Sequence, residues 1–195
     1  VSRKIIYSQM VSLDGFIEGI NGELDWSIPS DELFRFINKQ EENIDAHLYG
    51  RKMYENMSIW PSKGQSPNAS QEEKDWAKHW MNVKKYVISS KLKQEDLKWN
   101  TELLNGDMVS SVLQLKGTTG RDVSLGGASL AREFIHHDLV DEIWLFIFPI
   151  LLGDGKPMFP IMPNQRKYYL KEYKRFDETV FLNYARINNI LKGDL

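Results

Sequence analysis

The chain has 195 residues, 42% of them hydrophobic and 27% charged, with a net charge of −2, a pI near 6.1 and no cysteine. That composition suits one soluble domain with a substantial core. It excludes the basic footprint of a nucleic-acid binder, and it excludes disulfides, thiolate metal sites and a cysteine nucleophile. No stretch approaches the roughly 18 apolar residues of a membrane span. Val1–Tyr7 lacks a small-residue cleavage pattern, so it reads as no signal peptide, and the cysteine-free chain as cytoplasmic.

Lys4–Ser12 reads as a central strand, since Ile5, Ile6, Tyr7, Met10 and Val11 leave no clearly polar face. Asp14-Gly15 bends it before Phe16-Ile17. Asp14 is a lone carboxylate at the end of a buried strand, either an Asx-turn acceptor or a functional group. Asn21-Gly22 is a turn. Ser30 caps a helix whose first turn carries Asp31 and Glu32 and whose apolar face is Leu33, Phe34 and Ile37. Ala46–Gly50 is a second strand running into a short helix, Arg51–Met57, with two cations at its mouth; a solvated surface pair is the alternative for Arg51 and Lys52.

Ser58–Ser70, with Pro61, Gly64 and Pro67, reads as a loop. Gln71–Asn82 is a helix with Trp76 and Trp80 on one face. Lys85–Ser89 is a third strand, Leu97–Trp99 a short one, Asp107–Lys116 a helix and Gly117–Gly120 a loop. Val123–Leu125 is then a short buried strand and Gly126-Gly127 a turn. Leu130, Ala131 and Phe134 follow at helical spacing. Paired glycines permit unusual backbone angles and close approach, and the helix start offers unpaired N–H groups, so the element suits a phosphate. A junction that binds nothing reads equally well. Asp141–Phe148 is the most apolar strand, Gly153–Pro157 a loop, and Lys167–Phe176 with Thr179–Ile187 an antiparallel hairpin.

Alternating strands and helices followed by a hairpin predict an α/β fold with a mostly parallel sheet and helices on both faces. Ligands in such sheets sit at the carboxyl ends of the strands. Asp14, Gly50, Ser89 and Gly126 all fall there.

These residues resemble the dihydrofolate reductase fold, a three-layer α/β/α arrangement. More closely, they resemble the reductase domain of the bacterial riboflavin pathway (the RibD C-terminal domain) and its stand-alone relatives, from about Arg3 to Ile187. The resemblance is carried in order by Ser12-Leu13-Asp14-Gly15, Ile28-Pro29-Ser30-Asp31, Gly50-Arg51-Lys52-Met53-Tyr54-Glu55, Val87-Ile88-Ser89-Ser90 and Gly126-Gly127-Ala128-Ser129-Leu130. It implies NADPH-dependent reduction of a small heterocycle, a pterin or a pyrimidine of the 5-amino-6-(5-phosphoribosylamino)uracil type. The cofactor supplies the hydride, and the protein supplies position and electrostatics.

The same resemblance assigns the cofactor phosphates to Arg51, Lys52, Ser89, Ser90 and Lys91. It assigns the nicotinamide and pyrophosphate side to Gly50 and the Gly126–Leu130 turn, with a Gly126–Gly127 peptide that is often cis in relatives. Asp31 and Asp14 compete for the catalytic carboxylate. A half-buried Asp31 would have its pKa raised by desolvation, which suits proton handling.

Three departures stand out. Met53 replaces a threonine that contacts phosphate, Phe16 follows Asp14-Gly15 where a basic residue is usual, and no zinc deaminase half is present. The histidines are expected to form no metal set, the adjacent His136 and His137 facing different ways on a helix. A catalytically silent nucleotide-binding protein on the same scaffold is the alternative. A phosphoryl enzyme lacks both a Walker lysine and a metal carboxylate cluster. A homodimer is expected, with Ile143–Phe148 and the Trp-rich segments offering contact surface, though either reads equally well as core.

Overall fold

The computed structural model describes residues 2–159, 161–162 and 164–187. The expected domain span of 1–195 thus includes residues 1, 160, 163 and 188–195, which lie outside the described residues. In chain order the elements are β1 (Ile5–Ser12), β2 (Phe16–Glu18), α1 (Asp31–Glu41), β3 (Ile44–Gly50), α2 (Arg51–Met57), α3 (Trp60–Gly64), α4 (Gln71–Asn82), β4 (Lys84–Ile88), β5 (Thr101–Leu104), α5 (Met108–Lys116), β6 (Asp122–Gly126), α6 (Ala128–His136), β7 (Glu142–Phe148), β8 (Lys156–Pro157), β9 (Tyr168–Phe176) and β10 (Thr179–Arg186). None of the described helices is long and apolar enough to cross a membrane.

The main sheet runs β5-β4-β3-β6-β1-β7-β10-β9. Its first six strands are parallel, and the terminal hairpin adds β10 and β9 antiparallel. Alternation along the strands divides the core. Tyr7, Leu48, Val123, Leu125 and Ile143 face α5 and α6, where Val112, Leu115, Ala131 and Phe134 close one layer. Ile6, Trp144, Phe146 and Phe181 face α1 through Leu33 and Phe36, while Tyr49 and Val87 face α2 and α4 through Tyr54, Trp76 and Trp80. This is the expected mostly parallel α/β/α arrangement, and a central β1 follows from its having strand neighbours on both sides.

Helices whose starts carry a capping side chain form where the sequence places them. Ser30 accepts from the Leu33 N–H, Ser70 and Glu73 make a reciprocal capping box, and Asp107 accepts from the Ser110 N–H.

Three predicted elements differ. Residues 58–70 contain the helix α3. Pro61 lies in its first turn, where proline is tolerated, and is buried. Gly64 ends it against α4, so close that a Cβ there would lie 2.3 Å from the Ala77 Cβ. Leu97–Trp99 is not a strand. Trp99 and Asn100 adopt left-handed φ of 53° and 55°, and pairing resumes only at β5. Lys156-Pro157, expected in a loop, forms β8 against β2.

The apolar β7 and the tryptophans of α4 lie in the core, not on a contact surface: Trp144 is 7% exposed and Trp80 fully buried. All peptide bonds among the described residues are trans, Gly126–Gly127 included.

Candidate functional site

At the carboxyl end of the sheet three glycine- or serine-marked strand ends lie side by side. Tyr49 on β3 is in register with Gly126 on β6, and Gly50 with Ile88 on β4, which leads directly to Ser89. Helix α2 starts at Gly50 and α6 at Gly127, and neither has a side-chain cap. This contrasts with the capped starts of α1, α4 and α5. Two adjacent strands therefore deliver two uncapped helix N-termini to one edge, from opposite faces of the sheet. Their N–H groups and partial positive charge suit an anion with two phosphoryl groups.

Gly127 has φ of +98°, a left-handed conformation that glycine adopts without strain. Gly126 is buried because the protein's own side chains approach it. A Cβ there would lie 2.8 Å from the Tyr49 ring and 3.1 Å from the Met53 Cε methyl, and a Cβ on Gly127 would lie 3.3 Å from the Met53 Cβ. Met53, in the position of the expected threonine, therefore packs across the turn. Ala128 and Leu130 bury their side chains in the core, leaving their backbone toward the edge, and Ser129 is exposed.

Among the predicted phosphate ligands, Arg51 is clamped by both oxygens of Glu55, at 2.8 and 2.9 Å. Lys52, Ser90 and Lys91 are exposed. Ser89 Oγ accepts from the Lys91 and Leu92 N–H groups and so shapes the turn after β4.

The two carboxylates do not share one environment. Asp31 is exposed at the first position of α1, not half-buried in a cleft. Asp14 is exposed too, and accepts from Ser12 Oγ at 2.6 Å, Gly153 N at 2.7 Å and Leu152 N at 3.2 Å. The Ser12 hydroxyl, helped by the two amides, holds its carboxyl below the usual range. Asp14 therefore stays ionised at neutral pH and clips the β1–β2 turn to the β7–β8 loop. Beside that clip lies an open groove of about 440 Å³, lined by Ile20, Trp26, Ile150 and Leu152 with the carboxylates Glu23, Asp25 and Asp154.

A second polar centre lies between α1, β3 and α4, which the sequence reading of the histidines does not find. His47 Nε2 is 2.8 Å from Glu41 Oε2, His79 Nε2 is 3.4 Å from the same oxygen, and His47 Nδ1 shares a short hydrogen bond with the Tyr49 hydroxyl. Trp80 Nε1 donates to that hydroxyl at 3.3 Å. Burial alone would raise the Glu41 carboxyl, but His47 and His79 beside it hold it well below the ordinary range. These residues are 6 and 38 positions from Glu41 on different elements, so no local spacing signals the set.

The fold agrees with comparison to known proteins. The family model of the RibD C-terminal domain matches residues 3–182. The chain belongs to the RibD C-terminal domain family. Within it, the chain is 41% identical over 160 residues to the uncharacterized protein YyaP of Bacillus subtilis (strain 168), covering 80% of each. It superposes on a protein of Shewanella sp. PV-4 named for riboflavin biosynthesis, with TM-score 0.72, 22% identity, and coverage of 95% of this chain and 99% of that one. It also superposes on the deaminase/5-amino-6-(5-phosphoribosylamino)uracil reductase of Thermotoga maritima, with TM-score 0.66 and 15% identity, covering 95% of this chain but 57% of that one. Membership of the RibD C-terminal family supports a reductase-type activity on this scaffold.

Proposed function

We propose that the protein is an NADPH-dependent reductase of a small, amine-bearing heterocycle. The observation that carries this reading is the pair of uncapped helix N-termini, α2 and α6, at adjacent strand ends. In this reading the N–H groups after Gly50 and Gly127 hold the cofactor pyrophosphate. Arg51, Lys52, Ser89, Ser90 and Lys91 surround the adenosine side, and a charged contact from Arg51 to a 2′-phosphate favours NADPH over NADH. The bound cofactor supplies a hydride, and the protein orients the acceptor ring.

The groove beside Asp14 supports the substrate class. The Glu23, Asp25 and Asp154 carboxylates accept hydrogen bonds and donate none, and Trp26 offers an aromatic edge. Such a lining favours a ring carrying amino or ring N–H donors, of the pterin or aminopyrimidine kind, and opposes a phosphate. Phe16, where a basic residue is usual, points the same way. Asp14, ionised, serves as a charge partner for a ring cation and not as a proton donor at neutral pH. Asp31 is the other carboxylate that borders the substrate side in this reading. The protein is further proposed to act in the cytoplasm as a homodimer, pairing through the exposed edge strand β9, where Tyr169, Leu170 and Tyr173 are 48, 47 and 74% exposed.

One observation favours the silent reading, a nucleotide binder without turnover: Met53 lies across the Gly-Gly turn and Arg51 is engaged by Glu55. Titrating NADPH and following nicotinamide fluorescence tests both. The reductase reading expects binding that weakens about tenfold in Arg51→Ala, and oxidation with a pterin or aminopyrimidine, slowed in Asp14→Asn or Asp31→Asn. Binding with no oxidation across such a panel leaves the silent protein. Absence of NADPH binding overturns both.

A further inference from the structure

We infer that Glu41, His47 and His79 form a divalent transition-metal site, with Zn²⁺ the metal the donors suit best. The three offer two imidazole nitrogens and one carboxylate oxygen, all within 4.8 Å of one another. A tetrahedral zinc centre with bonds of about 2.0–2.2 Å sets its ligand atoms about 3.3–3.5 Å apart. The Glu41 Oε2 to His79 Nε2 separation of 3.4 Å already has that value, and the 2.8 Å to His47 Nε2 opens by about half an ångström.

A second observation points to a ligand here. His79 Nε2 is buried and has no hydrogen-bond partner among the described residues, although it lies 3.4 Å from Glu41 Oε2. A buried ring nitrogen without a partner is costly in a folded protein, and ligation would satisfy it.

The surroundings fit. Trp80 Nε1–H and His47 Nδ1 both converge on the Tyr49 oxygen, so His47 is held by its far nitrogen with Nε2 aimed at Glu41. A metal-bound histidine is commonly oriented in this way, through the nitrogen opposite the metal. His79 also lines an open surface depression of about 600 Å³ with Asp75, Lys78 and Asn82. Of the three residues, His79 borders that depression, and Glu41 and His47 are buried. Two imidazoles with one carboxylate favour Zn²⁺, Co²⁺ or Ni²⁺ over Mg²⁺ or Ca²⁺, which take oxygen ligands.

The test uses the full chain, stripped with EDTA and dialysed, then titrated with Co²⁺ and with Zn²⁺. The site predicts intense visible absorption from tetrahedral Co²⁺, its displacement by Zn²⁺, and a rise in the thermal midpoint with Zn²⁺. His79→Ala, a partly exposed helix position, keeps the fold and lowers Zn²⁺ affinity at least about tenfold. His136→Ala with His137→Ala leaves the affinity unchanged. No visible Co²⁺ band and no Zn²⁺-dependent midpoint shift, or a band and shift that persist in His79→Ala, overturn the proposal.

Discussion

At the amino-terminal end of the sheet Glu142 is buried and holds four side chains: Lys4 at 2.7 Å, Lys171 at 2.8 Å, Asn183 at 3.1 Å and the Trp144 indole at 3.3 Å. At the carboxyl-terminal end Asp14 is exposed and holds two loop amides. The same contrast runs across both ends. Arg3 with Asp45, and Asp141 with both Lys116 and Arg186, tie the amino end together by paired charge. The carboxyl end leaves Leu13, Ile20, Ile28 and Leu151 between 60 and 75% exposed. Charge that is buried and mutually satisfied fixes a fold, because removing one partner strands the others. Apolar surface left open at the strand ends is available to a ligand. One end of this sheet is laced by paired charge, and the other, with apolar surface left open, is the end the proposed reading uses for binding.

The largest test of that division is Glu142→Ala. Lys4 and Lys171 are 42% exposed and recover water, so the expected loss is about 3 kcal/mol, the low end for a broken buried pair, read by urea unfolding. Asp14→Ala should move the urea midpoint far less; equal shifts would break the comparison.

A smaller effect is expected with pH. Burial pushes the Glu142 carboxyl up, but the Lys171 and Lys4 ammonium groups outweigh it and hold it at about 2 against an ordinary 4.5. A carboxyl depressed on folding contributes stability that is complete above about pH 4.5 and is lost as pH falls toward 2. Glu142→Gln should therefore flatten the acid limb of the stability curve between those values, and an unchanged limb would show that other carboxylates carry it.

The smallest effect sharpens the binding end. Glu55→Gln frees Arg51 from an exposed pair that contributes little to stability, so NADPH affinity should rise about two- to fivefold with an unchanged unfolding midpoint. A fall in affinity would mean that Glu55 orients Arg51 for the cofactor.

Much of this was legible in residue order. The helices starting at Ser30, Ser70 and Asp107 announce themselves by capping side chains. The β6–α6 turn does so by Gly126-Gly127 and a change of period, and the hairpin by two β-rich runs around Asp177, whose φ is +49°. What was not legible depends on distant partners. Pro61 and Gly64 read as loop residues because their helical use rests on burial against Ala77. Leu97–Trp99 has strand chemistry but sits before a left-handed turn. Lys156-Pro157 pairs only because Phe16 and Glu18 arrive from the other end of the chain. At the site, glycine positions were readable, but not that Tyr49 and Met53 would fill the space beside them. The Glu41, His47 and His79 set joins a helix end, a strand interior and a second helix, and no motif spans such a distance.

The lacing around the acidic groove has a practical outcome for redesign. Asp14 binds the amides of Leu152 and Gly153, Leu13 N–H donates to Ile150 O, Met158 N–H to Gly15 O, and Tyr7 Oη to Met158 O. Residues 13–18 and 150–158 are thus a single cassette, though more than a hundred positions separate them in the chain. Anyone redesigning the acidic groove would have to exchange both segments together, since a graft of either alone leaves the other without its partners.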